Sequence, residues 1–281
     1  MRCLTTIAQV REALEPERRR GASVGLVPTM GALHEGHLSL IRAARTENDV
    51  VVVSVFVNPT QFGHDSDLAL YPQDMDEDLR LAEDAGADLV FSPPESEMYE
   101  RDHSTWVEVE NLTAGLCGRS RIGHFRGVCT VVTKLFNICL PDRAYFGEKD
   151  AQQLAVVRRM TRDLDVAVQV VGCPTVREED GLAMSSRNLR LTEEQRAQAP
   201  VLYRALGAAK SAVEAGERDA TTLTITTKQV LAGASLAEVE YVEIVDAASL
   251  QPIDQLAGEC LIALAARFGD VRLIDNLRLV V

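Results

Sequence analysis

The chain has 281 residues, 46% hydrophobic and 25% charged, which is ordinary for a globular protein and long enough for one large α/β domain or two smaller ones. Its formal net charge of −13 argues against a broad nucleic-acid surface, so an anionic ligand must be met by a local concentration of Lys, Arg, His and helix termini. No stretch is long and apolar enough to span a bilayer, and Met1 to Thr6 lacks the apolar core of a signal peptide, so the expected location is cytoplasmic, with no membrane partner.

Ile7, Val10 and Leu14 recur at helical spacing within Thr6 to Glu15. Val24 to Pro28 reads as a strand and His37 to Asn48 as a helix. Between them runs Pro28-Thr29-Met30-Gly31-Ala32-Leu33-His34-Glu35-Gly36-His37. A strand, a glycine-punctuated turn and a helix start present free backbone N–H groups and partial positive charge, which suits phosphate. Gly31 and Gly36 let the backbone approach a ligand closely. His34 and His37 are open to three readings: phosphate contacts, surface histidines, or a zinc pair in need of at least one further ligand.

Val50 to Val57 is a β-branched run typical of a strand buried on both faces, and it completes a βαβ unit. Asn58-Pro59-Thr60-Gln61-Phe62 follows it. Asn-Pro marks a turn, while Gln61 offers a donor and an acceptor to a small polar acid. Asp76 to Ala85 reads as a short helix ended by Gly86. Asp76, Glu77 and Asp78 complement its dipole, with a residual reading of Glu77 or Asp78 as a magnesium-facing acid. Asp88 to Phe91 is a further strand. Gly123-His124-Phe125-Arg126-Gly127 reads as a loop before a helix over Val128 to Cys139, and Arg143 to Phe146 as a strand.

Phe146-Gly147-Glu148-Lys149-Asp150 closes that strand and opens a helix running to Asp163. A lysine at a helix N-terminus is electrostatically misplaced for stability, which favours a role in neutralising phosphate. Val166 to Val171 is the next strand. Strands alternating with helices predict a parallel sheet wound on both faces, with ligands at the carboxyl ends of strands. His34, Asn58 and Gly147 all fall just after a predicted strand.

The character changes after about Val176. Met184-Ser185-Ser186-Arg187-Asn188 is a polar loop. Thr192-Glu193-Glu194-Gln195 fits a capping box opening one long helix through Leu202, Leu206, Ala209 and Val213, ended by Gly216. Val239 to Val245, Leu261 to Ala265 and Val271 to Ile274 read as short strands, with a turn at Gly269-Asp270. The expected organisation is a Rossmann-like α/β catalytic domain over residues 1–175 and a smaller α+β domain over 176–281. The six cysteines form no Cys-x-x-Cys pair and read as reduced thiols, mostly buried.

Met30 to His37 resembles the His-x-Gly-His signature of the nucleotidyltransferase superfamily. The longer string Pro28 to His37 is similar to the pantoate–β-alanine ligase (pantothenate synthetase) family. Asn58 to Phe62 resembles that family's pantoate-binding loop, which implies that Gln61 touches pantoate and β-alanine. Gly147-Glu148-Lys149-Asp150 resembles a segment the family uses for ATP, and Gln153 matches a second pantoate contact. Met184-Ser185-Ser186-Arg187 resembles the superfamily's second signature, a mobile phosphate-binding loop, here with Arg187 as its cation. Val176 matches an adenine contact made through the backbone. The Gly123 to Gly127 string is similar to a loop near the pantoate pocket. Gln73 stands where the family would have Arg.

The resemblance implies ATP-dependent condensation of (R)-pantoate with β-alanine through a pantoyl-adenylate, yielding pantothenate, AMP and pyrophosphate. It implies an ATP site of Met30, Gly31, Ala32, Leu33, His34, Glu35, Gly36, His37, Gly147, Glu148, Lys149, Asp150, Val176, Met184, Ser185, Ser186 and Arg187. His34, His37, Lys149 and Arg187 carry the catalytic assignments, with His37 serving the leaving pyrophosphate either as acid or as hydrogen-bond donor. Mg2+ accompanies ATP with no ligand assigned. A homodimer is also implied, and the placement of Arg187 near the domain boundary suggests that the C-terminal domain supplies a water-excluding lid. A transferase moving AMP onto a nucleotide shares the histidine turn but has no need of Gln61 and Gln153 as acid-binding groups. A non-catalytic nucleotide-binding protein predicts losses among the four catalytic assignments, and all four residues are present.

Overall fold

Six parallel strands form the main sheet among the described residues: β1 (Arg2–Leu4), β2 (Val24–Thr29), β3 (Val50–Val55), β4 (Leu89–Phe91), β5 (Arg143–Gly147) and β6 (Gln169–Cys173). Their order is β1-β4-β3-β2-β5-β6. The structure, a computed structural model, describes residues 1–62 and 71–281. Every position of β3 is buried, as its uninterrupted β-branched run requires for a strand covered on both faces. The helix Glu35–Glu47 supplies part of that cover, packing Leu40, Ile41 and Ala44 with Val27, Val51, Val53 and Tyr145. From β2 the chain moves outward through β3 and β4, then returns to place β5 on the other side of β2. Such a reversal leaves a crevice at the carboxyl ends of the two strands. The histidine turn leaves β2 there, and Glu148 leaves β5.

The chain divides into two compact units. The first comprises Met1–Glu110, Arg121–Glu148 and Gln153–Pro174, and the second Asn111–Ser120, Lys149–Gln152 and Thr175–Val281. Two short segments from the first 175 residues therefore group with the second unit. Gln152 ties them together by donating from Nε2 to the carbonyls of Leu112 and Gly115, each at 2.9 Å.

The second unit contains an antiparallel sheet of β7 (Glu238–Asp246), β8 (Glu259–Phe268) and β9 (Val271–Val280). Leu202, Leu206, Leu223 and Leu231 from the helices Val201–Glu214 and Ala220–Leu231 share a core with Ile262, Leu264, Phe268 and Leu273. β8 and β9 run ten residues each, longer than their apolar centres suggested. The single helix expected from the capping box is two helices, Glu193–Gln198 and Val201–Glu214. Pro200 precedes the second, where its missing N–H does least harm. The helix Ala220–Leu231 was not foreseen.

All six cysteines are free thiols, five buried and Cys3 exposed. Burial pushes Cys129 and Cys139 up to about 12, which removes them from thiolate chemistry.

Candidate active site

Beyond β2 the chain turns through two successive left-handed residues, Gly31 at φ 84° and Ala32 at φ 50°. Gly31 N donates to Thr29 Oγ1 at 3.2 Å. The next two N–H groups go to one side chain: Ala32 N donates to Asp78 Oδ2 at 3.0 Å and Leu33 N to Asp78 Oδ1 at 2.7 Å. Asp78, on the helix Met75–Asp84, is 3% exposed. A Cβ on Gly31 would lie 2.7 Å from Asp78 Oδ2, so glycine is required by space as well as by φ. Burial pushes the Asp78 carboxyl above its ordinary value, the two N–H groups pull it back, and the charges of Asp74 and Glu77 add to the rise. The acidic run thus divides. Asp78 shapes the turn, and Glu77 pairs with Arg80. Both carboxylates have partners other than the magnesium ion that the sequence left open.

The following helix begins at Glu35, two residues earlier than expected, because His34 is its cap. His34 Nδ1 accepts from Gly36 N at 3.1 Å, and His37 Nδ1 accepts from His34 N at 3.4 Å. This is a reciprocal capping box made with imidazoles. The ring centroids lie 4.1 Å apart. With both Nδ1 atoms accepting from the backbone, hydrogen-bond geometry assigns the proton of each neutral ring to Nε2. A pair of Nε2–H donors at a helix N-terminus is suited to anionic oxygen.

The loop after β3 is organised by Asn58, 1% exposed. Its Oδ1 accepts from Thr60 Oγ1 and Tyr99 OH, both at 2.9 Å. Its Nδ2 donates to Gln61 Oε1 at 3.0 Å and to the Gly127 carbonyl at 3.2 Å. All four hydrogen-bonding positions of the amide are filled, and the Gln61 side chain is thereby oriented, its Nε2 3.0 Å from Met30 Sδ. The Gly123–Gly127 string, expected as a loop, is the first turn of the helix His124–Cys139. His124 Nδ1 donates to the Gln61 carbonyl at 2.8 Å, which leaves Nε2 to accept from Arg121 Nη1 at 3.0 Å. Gly127 packs against backbone: a Cβ there would lie 2.5 Å from the Thr60 carbonyl oxygen.

Gln153, in the first unit, lies in the first turn of the helix Ala151–Asp163. Lys149 and Val176 to Arg187 belong to the second unit. Lys149 sits in the short 3-10 turn Glu148–Asp150, its Nζ 3.7 Å from Asp150 Oδ2 and its carbonyl accepting from Asn276 Nδ2 at 2.8 Å. Val176 lies beyond the end of β6, in the first arm of a hairpin. Met184 N donates to the Val176 carbonyl at 3.0 Å, Arg177 bridges Ala183, and Glu178 N donates to the Leu182 carbonyl at 2.8 Å. Ser185 then caps the 3-10 turn Ser186–Arg190, its Oγ accepting from Arg187 N at 3.3 Å. Asn58, Asp78, His124 and Glu178 are site-shaping residues that the motif reading gave no such role. Asn58 and His124 lay inside strings singled out for ligand binding, Asp78 was read as a dipole-complementing or magnesium-facing acid, and Glu178 was not singled out.

Among the described residues no group of three or more His, Cys, Asp or Glu side chains could hold a metal ion, and His34 and His37 find no third ligand there for zinc. No helix among them is long and apolar enough to cross a membrane.

A parallel sheet with a glycine turn and paired histidines leading from β2 into a helix defines an α/β protein of the nucleotide-binding class. The chain belongs to the pantoate-beta-alanine ligase family, whose model matches residues 2–278. The pantothenate synthetase of Heliobacterium modesticaldum is 56% identical over 277 residues, 99% of each chain. That of Thermotoga neapolitana is 53% identical over 276 residues, 98% of this chain and 99% of the relative. The crystal structure of pantothenate synthetase from Thermus thermophilus matches at a TM-score of 0.94 and 49% identity, covering 99% of both chains. A pantoate-beta-alanine ligase from Francisella tularensis, complexed with beta-gamma ATP and beta-alanine, matches at 0.80 and 33% identity, covering 99% of this chain and 97% of that one.

Proposed function

We propose that this chain condenses pantoate with β-alanine at the expense of ATP, through a pantoyl-adenylate. The observation that carries the reading is the mutually capped His34–His37 pair and the oriented amide of Gln61, which follow two neighbouring strands of one sheet, β2 and β3. A carboxylate is a poor electrophile and amide formation in water is uphill, so the acid must first be activated. The pantoate carboxylate attacks the α-phosphate of ATP and pyrophosphate leaves. The β-alanine amine then attacks the acyl carbon of the adenylate, AMP leaves, and the amine loses a proton.

Little of this asks for covalent work from the protein, which aligns the reactants and stabilises charge on phosphate. His34 and His37 donate from Nε2 toward phosphate oxygens. Because each Nδ1 already accepts a backbone N–H, His37 serves the leaving pyrophosphate as a neutral hydrogen-bond donor rather than as an imidazolium acid. Lys149, Ser185, Ser186 and Arg187 are assigned to phosphate, Val176 to adenine through its backbone, and Gln61 and Gln153 to the carboxylic acid. Mg2+ supplies charge neutralisation when bound with ATP. Among the described residues no group of three or more His, Cys, Asp or Glu is placed to hold it, and no protein ligand is assigned to it.

The decisive experiment is pantoate-dependent exchange of labelled pyrophosphate into ATP with β-alanine absent. Exchange is expected, and its absence from folded protein would sink the adenylate route. Gly127→Ala tests the acid site. The added methyl must displace the Thr60–Gln61 backbone, so KM for pantoate is expected to rise roughly tenfold or more with KM for ATP little changed. We further infer a homodimer, read as twice the chain mass by light scattering, and a cytoplasmic location, read by cell fractionation.

A further inference from the structure

We propose that Glu178 is a positioning residue for ATP, locking the hairpin of residues 176–184 so that the Val176 backbone and the Met184–Arg187 loop keep a fixed separation. The proposal rests on the assignment of those two segments to adenine and phosphate made above. They are the two ends of one ladder, closed by the Met184 N–H on the Val176 carbonyl. A short two-stranded hairpin is marginal alone, so its geometry depends on what anchors it. Arg177 provides one anchor. It pairs bidentately with buried Asp275 at 2.7 and 3.0 Å, donates to the Gly181 carbonyl at 3.0 Å, and lies 4.4 Å over the Tyr203 ring.

Glu178 provides the other anchor and joins three elements at once. Its Oε1 accepts from Asn188 Nδ2 at 2.7 Å, and its Oε2 from Arg196 Nη2 at 2.6 Å. Asn188 belongs to the same 3-10 turn as Ser186 and Arg187, and its Nδ2 also donates to the Ala183 carbonyl at 3.2 Å. Arg196, on the helix Glu193–Gln198, holds Asp180 across the hairpin turn at 2.5 Å. Arg196 therefore keeps a carboxylate if Glu178 is removed, whereas Asn188 loses the carboxylate that accepts from it. The phosphate loop is then the element released. Phosphate contacts are sensitive to such release, since misplacement by about 1 Å costs on the order of a hundredfold in rate.

The test compares Glu178→Ala, Asn188→Ala, their double variant and Glu178→Gln, in steady-state kinetics with each substrate varied and in thermal melts. Each alanine variant is expected to lower kcat/KM for ATP roughly tenfold or more, with KM for pantoate within about twofold of the unaltered chain. The double variant is expected to lose no more than the worse single one, because both remove the same contact. Glu178→Gln keeps an acceptor for Asn188 and is expected to recover part of the loss. ATP losses that multiply in the double variant, or constants for all substrates that worsen in step with Tm, overturn the proposal. No pyrophosphate exchange by the unaltered chain overturns the functional reading instead. Normal exchange with unaffected variants overturns the role of Glu178 alone.

Discussion

His37→Ala is expected to slow pantoate-dependent pyrophosphate exchange by about 10²–10³, the usual effect of removing one preorganised donor to transition-state charge. The substitution deletes two things: the Nε2–H donor and the acceptor for the His34 N–H. The second is a capping loss, worth about 1 kcal/mol of stability and no chemistry. His37→Gln separates them. Glutamine is at home at this position of a capping box, so its carbonyl restores the acceptor. Tm should then return toward that of the unaltered chain while the exchange rate stays low. The pH profile supplies a further check. A general acid loses rate as pH rises, whereas a neutral donor does not, so the unaltered chain should show no alkaline fall attributable to His37.

The second large effect is expected at Asp78, and it separates activity from stability. Asp78→Asn keeps one acceptor but turns an amide donor toward a backbone N–H that now faces a carboxylate oxygen. The Gly31–Leu33 turn must relax, and kcat/KM for ATP should fall on the order of a hundredfold. Stability is moved by two opposing effects. Burial raises the Asp78 carboxyl above its unfolded value, so its ionised form weighs against the fold at neutral pH. The stabilisation tied to the protonated form is complete below the unfolded value and is lost as pH rises through the raised folded one. Asp78→Asn removes the charge but leaves a buried N–H facing an amide donor, which costs about 1–3 kcal/mol, so Tm at neutral pH should fall less than in Asp78→Ala, which loses both acceptors. In the unaltered chain, exchange activity should begin to fall on acidification above the ordinary carboxylate range, with no loss of Tm attributable to Asp78 over the same interval. A loss of Tm in step with rate on acidifying the unaltered chain would refute this account.

Local pattern made the main sheet legible. The β-branched run of β3 and the strand-turn-helix grammar around Gly31 are properties of neighbours in sequence, and they led to the right elements. Elements were misread where tertiary packing overrides local preference. Two glycines made Gly123–Gly127 look like a loop, yet Gly127 is helical and small because the Thr60 carbonyl lies against it. The threonine-rich helix Ala220–Leu231 has poor intrinsic propensity, although Asp219 capping Thr222 N was a usable signal. Pro200 was likewise a usable sign that the long helix breaks. In the candidate site, each motif is a run of neighbours in sequence and could be read as a string, while the side chains that shape these strings could not. Asp78 is 46 residues from Ala32, and Glu178 meets Arg196 from a separate helix, so no spacing rule announces either.

The bond from Asp78 to the glycine turn also bears on when nucleotide affinity arises during folding. A fragment ending at Glu47 would carry the whole histidine signature and lack the carboxylate that fixes its left-handed turn. On the phosphate assignment proposed for this turn, tight binding awaits docking of the Met75–Asp84 helix. On the same assignment, linkage makes saturating ATP hold the completed turn against local unfolding by an amount that grows with the logarithm of nucleotide concentration.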